Sequence, residues 1–249
     1  MTHGRRTLAA ALGVLGTGAL LSGCLGLGGG NPDAGTNGVA KLPAETIEQQ
    51  AKAAATAAQT VRLSGTVVSV GQSYRLDMRL SDKGGVGEVT TKGSTFQLLR
   101  IGTDLYLKAG ESFYGTGDDK DSQAAAAKLS GKYVKVPSGD PAYRQFSGLT
   151  DKKLLLGDLF LLPGSVSVGN HGKVDDVKTI TLNGSKGGSL EVSLVGTPYP
   201  LRYQRVAHTG TLTLSDWGQD VVLNAPAKDA VVDYGSTVGA TPTPTASKK

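Results

Sequence analysis

One cysteine, one tryptophan, two methionines and four phenylalanines are all that this 249-residue chain has of those residues, and rings make up 5% of it. A lone cysteine excludes an internal disulfide, so the folded part is held by its core and its hydrogen bonds. Few bulky rings set against 36 glycines leave little to fill a wide interior. No apolar run reaches the roughly 20 residues that a membrane-spanning helix needs. The best candidate, residues 7–20, is shorter and contains Gly13, Gly16 and Gly18. Signatures of catalysis are missing too: there is no Gly-x-Ser-x-Gly elbow and no His-Glu-x-x-His zinc helix. The three histidines are His3, His171 and His208. None stands in a pattern that joins a base to a nucleophile and an acid, and the last two read as turn residues. Asp118, Asp119 and Asp121 lack the alternation, glycine and distant glutamate of a calcium loop. The formal charge of +5, two of it from Arg5 and Arg6, is too small for a nucleic-acid footprint. These absences point away from an enzyme, a metal site, a cofactor site or a nucleic-acid partner.

What is present begins with a basic head, Met1-Thr2-His3-Gly4-Arg5-Arg6, followed by the short apolar stretch and then Leu21-Ser22-Gly23-Cys24. Basic head, apolar middle and small-residue cleavage site describe an export signal. Leu21, Ser22, Gly23 and Cys24 resemble the lipobox of bacterial lipoproteins. The resemblance implies cleavage before Cys24 and a diacylglyceryl group, palmitate for example, on its sulfur. Two or more acyl chains give stable anchoring where one gives only marginal binding. The expectation is a signal peptide over 1–23 and a mature chain anchored at the outer face of the cell membrane. Residues 24–42 are Gly-rich and read as the acylated cysteine with a flexible tether. Residues 43–233 are enough for one domain with its own core. Residues 234–249, with Thr241-Pro242-Thr243-Pro244-Thr245, read as a disordered tail.

Within the domain, residues 43–60 are alanine-rich, with Pro43 and Glu45 in the first turn, which suits a helix start. Ile47, Ala51, Ala54 and Ala58 fall at helical spacing. The period then changes. Tyr74, Leu76, Met78 and Leu80 alternate with Arg75, Asp77, Arg79 and Ser81, the pattern of a strand with one dry and one wet face. Residues 61–70 precede it as a strand; 87–91, 95–101 and 104–107 follow, separated by short polar or glycine breaks, as a meander of hairpins. The middle turns helical over 121–129, 141–146 and 149–162, the last with Thr150 as its cap and Pro163-Gly164 as its stop. Strands return at 177–182, 189–195, 201–207 and 210–215, with 221–223 as one more. Trp217 reads as the anchor of the final strand. Helix, strands, helices, strands predict an α+β domain with a large antiparallel sheet and helices on one side of it.

Thr211-Leu212-Thr213-Leu214-Ser215-Asp216-Trp217-Gly218 resembles the closing motif of the LppX/LprG-type lipoproteins of actinobacteria, which share a fold with the LolA/LolB lipoprotein carriers. Val61-Arg62-Leu63-Ser64-Gly65 and Ile101-Gly102-Thr103-Asp104-Leu105-Tyr106-Leu107 are similar to family segments in the same order. Tyr133-Val134-Lys135-Val136 and Thr197-Pro198-Tyr199-Pro200-Leu201 look like segments of more distant members. The loop at 117–121 and the segment 138–172 depart from the best-known members, so no particular lipid is carried over. The resemblance implies a LolA-like half-barrel, a curved antiparallel sheet with helices across its concave face. It also implies an apolar cavity that binds an acylated lipid or glycolipid and carries or presents it.

Hiding a chain of about 16 carbons from water is worth on the order of 12 kcal/mol, at roughly 0.8 kcal/mol per methylene, so transfer across an aqueous space needs a dry container. The candidate lining is Leu76, Met78, Leu80, Phe96, Leu98, Leu105, Leu107, Leu159, Phe160, Leu190, Val192 and Leu194. The alternative function on the same fold is an envelope signalling or interaction module that binds a protein partner.

Overall fold

The computed structural model describes residues 33–69, 71–114, 120–159 and 162–233. Period-two alternation builds one sheet from two meanders. β1 (Thr60–Ser69) is preceded by helix α1 (Ala44–Ala57) and followed by β2 (Gln72–Ser81), β3 (Gly84–Thr91), β4 (Ser94–Ile101) and β5 (Asp104–Ala109), each antiparallel to the last. Helices α2 (Glu111–Tyr114) and α3 (Lys120–Leu129) lead to β6 (Tyr133–Val136), which pairs with β5. After α4 (Pro141–Leu149) and α5 (Lys152–Leu159) come β7 (Val166–Val174), β8 (Val177–Gly184), β9 (Ser189–Ser193), β10 (Pro200–Gln204) and β11 (Gly210–Ser215). β11 pairs with β1 and joins the two runs. The result is a curved 12-stranded sheet in the order β12-β6-β5-β4-β3-β2-β1-β11-β10-β9-β8-β7. Only the short β12 (Val231–Asp233), on β6, is parallel to its neighbour.

Register decides which side is dry. Leu63 lies opposite Met78 on one flank and Leu214 on the other; Leu98 lies opposite Leu107, and Leu190 opposite Leu182 and Tyr203. These residues share one face and are buried. Arg62, Asp77, Arg79 and Thr213 occupy the other. The helices supply the second layer over the apolar face: Ile47, Ala51 and Ala55 of α1 and Leu156 of α5 share a single core with the sheet leucines. Alanines at the α1 contact let its backbone approach closely. Two glycines do the same from the sheet side. A Cβ on Gly87 would sit 2.7 Å from Met78 Sδ, and one on Gly85 would sit 2.6 Å from Leu80 Cδ2 and 3.0 Å from the Thr150 carbonyl oxygen. Glycine on β3 therefore lets the β2 side chains lie across it and lets the α4–α5 turn come down onto the sheet.

The expected α+β half-barrel is the observed architecture, and the differences are local. The segment 149–162 is not one helix. Leu149 ends α4, Thr150 is its C-cap, and Asp151 rather than Thr150 caps α5 by accepting from the Leu154 N–H at 3.0 Å. His171 lies on β7, not in a turn; this edge strand is mostly exposed and carries two glycines, so it shows no alternation to read. Residues 221–223 form no strand. Residues 33–42, read as the end of a flexible tether, are held in place. The Asn37 N–H donates to the Leu194 carbonyl (2.8 Å), and its Nδ2 donates to the carbonyls of Ser193 (3.1 Å) and Gly196 (2.9 Å). Val39 is buried in the core and His171 Nε2 meets Asp33 Oδ1 at 2.8 Å. A single bonded amide and a single buried valine outweigh a composition that otherwise suggests freedom.

Candidate functional site

The concave face is fastened at one end and open at the other. Arg100 projects from β4 into the buried face. Its Nε donates to Thr150 Oγ1 (3.0 Å), and its Nη2 donates to the Thr150 carbonyl (2.9 Å) and Asp151 Oδ2 (3.3 Å). Its Nη1 donates to the Gly102 carbonyl (2.8 Å). Lys152, with a side chain 1% exposed, places Nζ 3.0 Å from Asp82 Oδ1 and donates to the Ala58 carbonyl. A lysine on the last carbonyls of α1 is a favourable C-terminal cap. The Tyr143 hydroxyl adds a bond to the Thr103 carbonyl at 2.7 Å. These ties converge where the β2–β3 and β4–β5 turns lie. They hang α4 and α5 from that end of the sheet.

Toward the opposite end, α4 and α5 stand off from the strands and leave an apolar groove of about 560 Å³. Val67, Tyr74 and Leu76 of β1 and β2 form one part of its floor; Tyr203 and Leu212 of β10 and β11 form the rest. Gln145, Gly148 and Leu149 of α4 and Leu154 and Leu155 of α5 form the wall, with Arg205 at the rim. The volume lies inside the range of about 300–1,000 Å³ usual for ligand sites. Burial pushes the Tyr203 phenol above its ordinary range, and the Arg205 guanidinium pulls in the other direction.

A second cavity of about 380 Å³ lies on the far side of α4. Leu107, Val134 and Val136 form its floor, and Phe113, Tyr114, Ala126 and Phe146 cover it. Burial pushes the Tyr114 phenol up to about 12, against a weaker opposing effect of the Ala109 backbone. Phe96 sits between Phe113 and Phe146, with ring centroids at 5.0 and 5.4 Å. The three described phenylalanines thus form one plug beside this cavity. The only rings on the floor of the larger groove, among the described residues, are Tyr74 and Tyr203.

Of the lining residues expected from sequence, Leu76 borders the larger groove and Leu107 the second cavity. Met78, Leu80, Leu98, Leu190, Val192 and Leu194 pack in the continuous core. Leu105 is fully buried directly opposite Arg100 at the fastened end, and Phe96 belongs to the aromatic plug. Leu159 ends α5, with its side chain outside the description, and Phe160, Leu21, Ser22, Gly23 and Cys24 lie outside the described residues. Tyr74 was legible as a lining residue, since it shares the Leu76 face two positions away. Tyr203 and Arg205 follow only from the pairing of β10 with β11. Trp217 stacks on Tyr199, with centroids 4.8 Å apart and planes within 5°, and packs against the core just past β11. Among the described residues no cluster of three or more His, Cys, Asp or Glu could hold a metal ion.

An open antiparallel half-barrel with helices across its concave face and an apolar groove between the layers is the LolA-like architecture. Among solved structures the chain is similar to LprF from Mycobacterium bovis: TM-score 0.50, 17% identity, 74% of this chain and 97% of LprF covered. LprF is an LppX/LprG-family lipoprotein, so the fold agrees with the resemblance carried by the strand motifs. At this identity the likeness establishes the fold. An uncharacterized conserved protein from Thermus thermophilus overlaps more loosely, at TM-score 0.36 and 10% identity over 76% of this chain and 98% of its own, which is too loose to carry an argument. No family model and no curated protein sequence matches the chain.

Proposed function

We propose that this chain is a cell-envelope lipoprotein. It is held at the outer face of the membrane through acylated Cys24, and it binds the acyl part of a lipid or glycolipid in the α4–α5 groove to carry or present it. The observation that supports this reading most is the groove itself, an apolar space of about 560 Å³ between sheet and helices in a small-residue, ring-poor domain. Each methylene moved from water into it is worth about 0.8 kcal/mol. The work is reversible burial, and no bond is made or broken. Purification of the full chain from its own membrane, followed by solvent extraction and mass spectrometry, tests the binding. An acylated molecule in near-equal amount to protein is expected. Recovery of none, together with failure to bind a fluorescent fatty-acyl probe after delipidation, overturns the reading. Cys24→Ala tests the anchor separately: the parent is expected to incorporate a labelled fatty acid and the variant none, and equal labelling of the two refutes acylation at that residue.

A further inference from the structure

The groove has an electrostatic polarity that its apolar walls do not require. Among its described lining residues Arg205 alone carries a full charge at neutral pH. Arg62, Arg100 and Arg202 each meet a carboxylate, at 2.7, 3.3 and 2.9 Å, whereas the exposed Arg75, Arg79 and Arg144 meet none within ion-pair distance among the described residues. Arg205 meets none among the described residues, although it is only partly exposed. Its position is fixed by the sheet: its backbone N–H donates to the Gly210 carbonyl at 2.9 Å, and the Thr209 hydroxyl closes the following turn on the Val206 carbonyl at 2.8 Å. Its charge is felt by the buried Tyr203 phenol on the floor. Gln145 stands on the opposite wall with an amide able to donate to the same guest. A guanidinium with no carboxylate partner among the described residues, and with low-dielectric protein on one side and water on the other, is a strong site for a planar or tetrahedral anion.

We propose, building on the acyl-binding reading above, that the groove selects an anionic amphiphile. Its carboxylate or phosphate is held by Arg205 at the rim, and its chain runs inward past Leu76 and Leu155. A neutral acyl ester of the same length fills the same space without the charge-assisted bond.

The delipidated full chain, titrated with cis-parinaric acid and with its methyl ester, decides this. The acid is expected to bind about tenfold tighter or more, a factor that corresponds to about 1.4 kcal/mol. Arg205→Gln is expected to abolish the difference by weakening the acid and leaving the ester within twofold. Arg205→Lys is expected to restore most of it. Displacement by palmitate against lysophosphatidate then separates a free fatty acid from a phospholipid head as the source of the anion. Equal binding of acid and ester by the parent, or an undiminished preference in Arg205→Gln, overturns the inference and leaves the acyl groove standing. Failure of both probes to bind the parent overturns the groove reading and this inference with it.

Discussion

Gly148→Leu separates a hole that binds from a hole that is merely unfilled. Gly148 is near the end of α4, borders the groove, and has open space where a Cβ would be. Leucine there has two effects of opposite sign. Replacing glycine by a good helix former inside a helix is worth up to about 1 kcal/mol, so the domain should become more stable. The four added side-chain carbons occupy the path of a guest, displacing about four methylenes at roughly 0.8 kcal/mol each. That sums to about 3 kcal/mol, or about a hundredfold in Kd. Urea unfolding followed by fluorescence, with an unchanged m-value, reads the first effect, and titration with a fluorescent acyl probe reads the second. A variant that is misfolded loses both properties together; this one should gain one and lose the other. Raised stability with unchanged acyl affinity would refute the assignment of the groove as the binding site.

The fastened end makes an ordered prediction. Asp82→Ala strands the Lys152 ammonium, 1% exposed, with the Ala58 carbonyl as its remaining partner among the described residues, and should cost about 3 kcal/mol. Lys152→Met leaves an Asp82 side chain that is 55% exposed and can rehydrate, and should cost only about 1 kcal/mol; chemical denaturation that reverses this order rejects the account. Gly87→Ala puts a Cβ 2.1 Å from the Asp77 carbonyl oxygen, a backbone atom that cannot swing away, and should cost about 2 kcal/mol in the same assay. The hydrogen bond from Arg62 holds the Asp77 carboxyl below its usual range. The pair's contribution, at most about 1 kcal/mol because both side chains are partly exposed, is complete above about pH 4. It is lost as pH falls through the depressed pKa. Asp77→Asn should flatten that acid limb of a stability–pH curve, and an unaltered limb places the acid sensitivity elsewhere.

Much of the fold was legible because alternation is strict where one face is buried and the other wet. Tyr74 to Ser81 announces both faces of β2, and Thr211 to Ser215 does the same for β11. β7 shows what escapes such a reading. It pairs on one side only, its residues are mainly exposed, and a register shift falls between Val168 and His171, so no period survives. β12 has three residues and exists because β6 offers an edge. The site was half legible for a related reason. Leu76 and Leu98 look identical in pattern, both apolar on the dry face, yet one borders the groove and the other lies in solid core. Pattern assigns a residue to a face; whether that face is filled depends on where the helices rest. Arg205 gave no signal at all, since nothing local distinguishes an arginine that finds a carboxylate from one that, among the described residues, does not.

Where the helices rest is itself decided by few residues, and this connects the scarcity of rings to the groove. Arg100 and Lys152 pull the start of α5 and the α4–α5 turn onto the sheet at one end, where Gly85 leaves room for the Thr150 carbonyl. Phe96, Phe113 and Phe146 then fill the space under one flank of α4. The described phenylalanines are all spent on that flank, and the residues of α4 that border the groove are Gln145, Gly148 and Leu149. A glycine and a polar amide cannot close the distance to Val67, Tyr203 and Leu212, so a layer fixed at one end and under-filled on one flank must leave a gap there. The walls of the gap are mostly apolar, and the Arg205 charge borders it. Another large ring on α4 would fill part of it, and the chain has glycine, with open space around a Cβ, at the groove-bordering position 148.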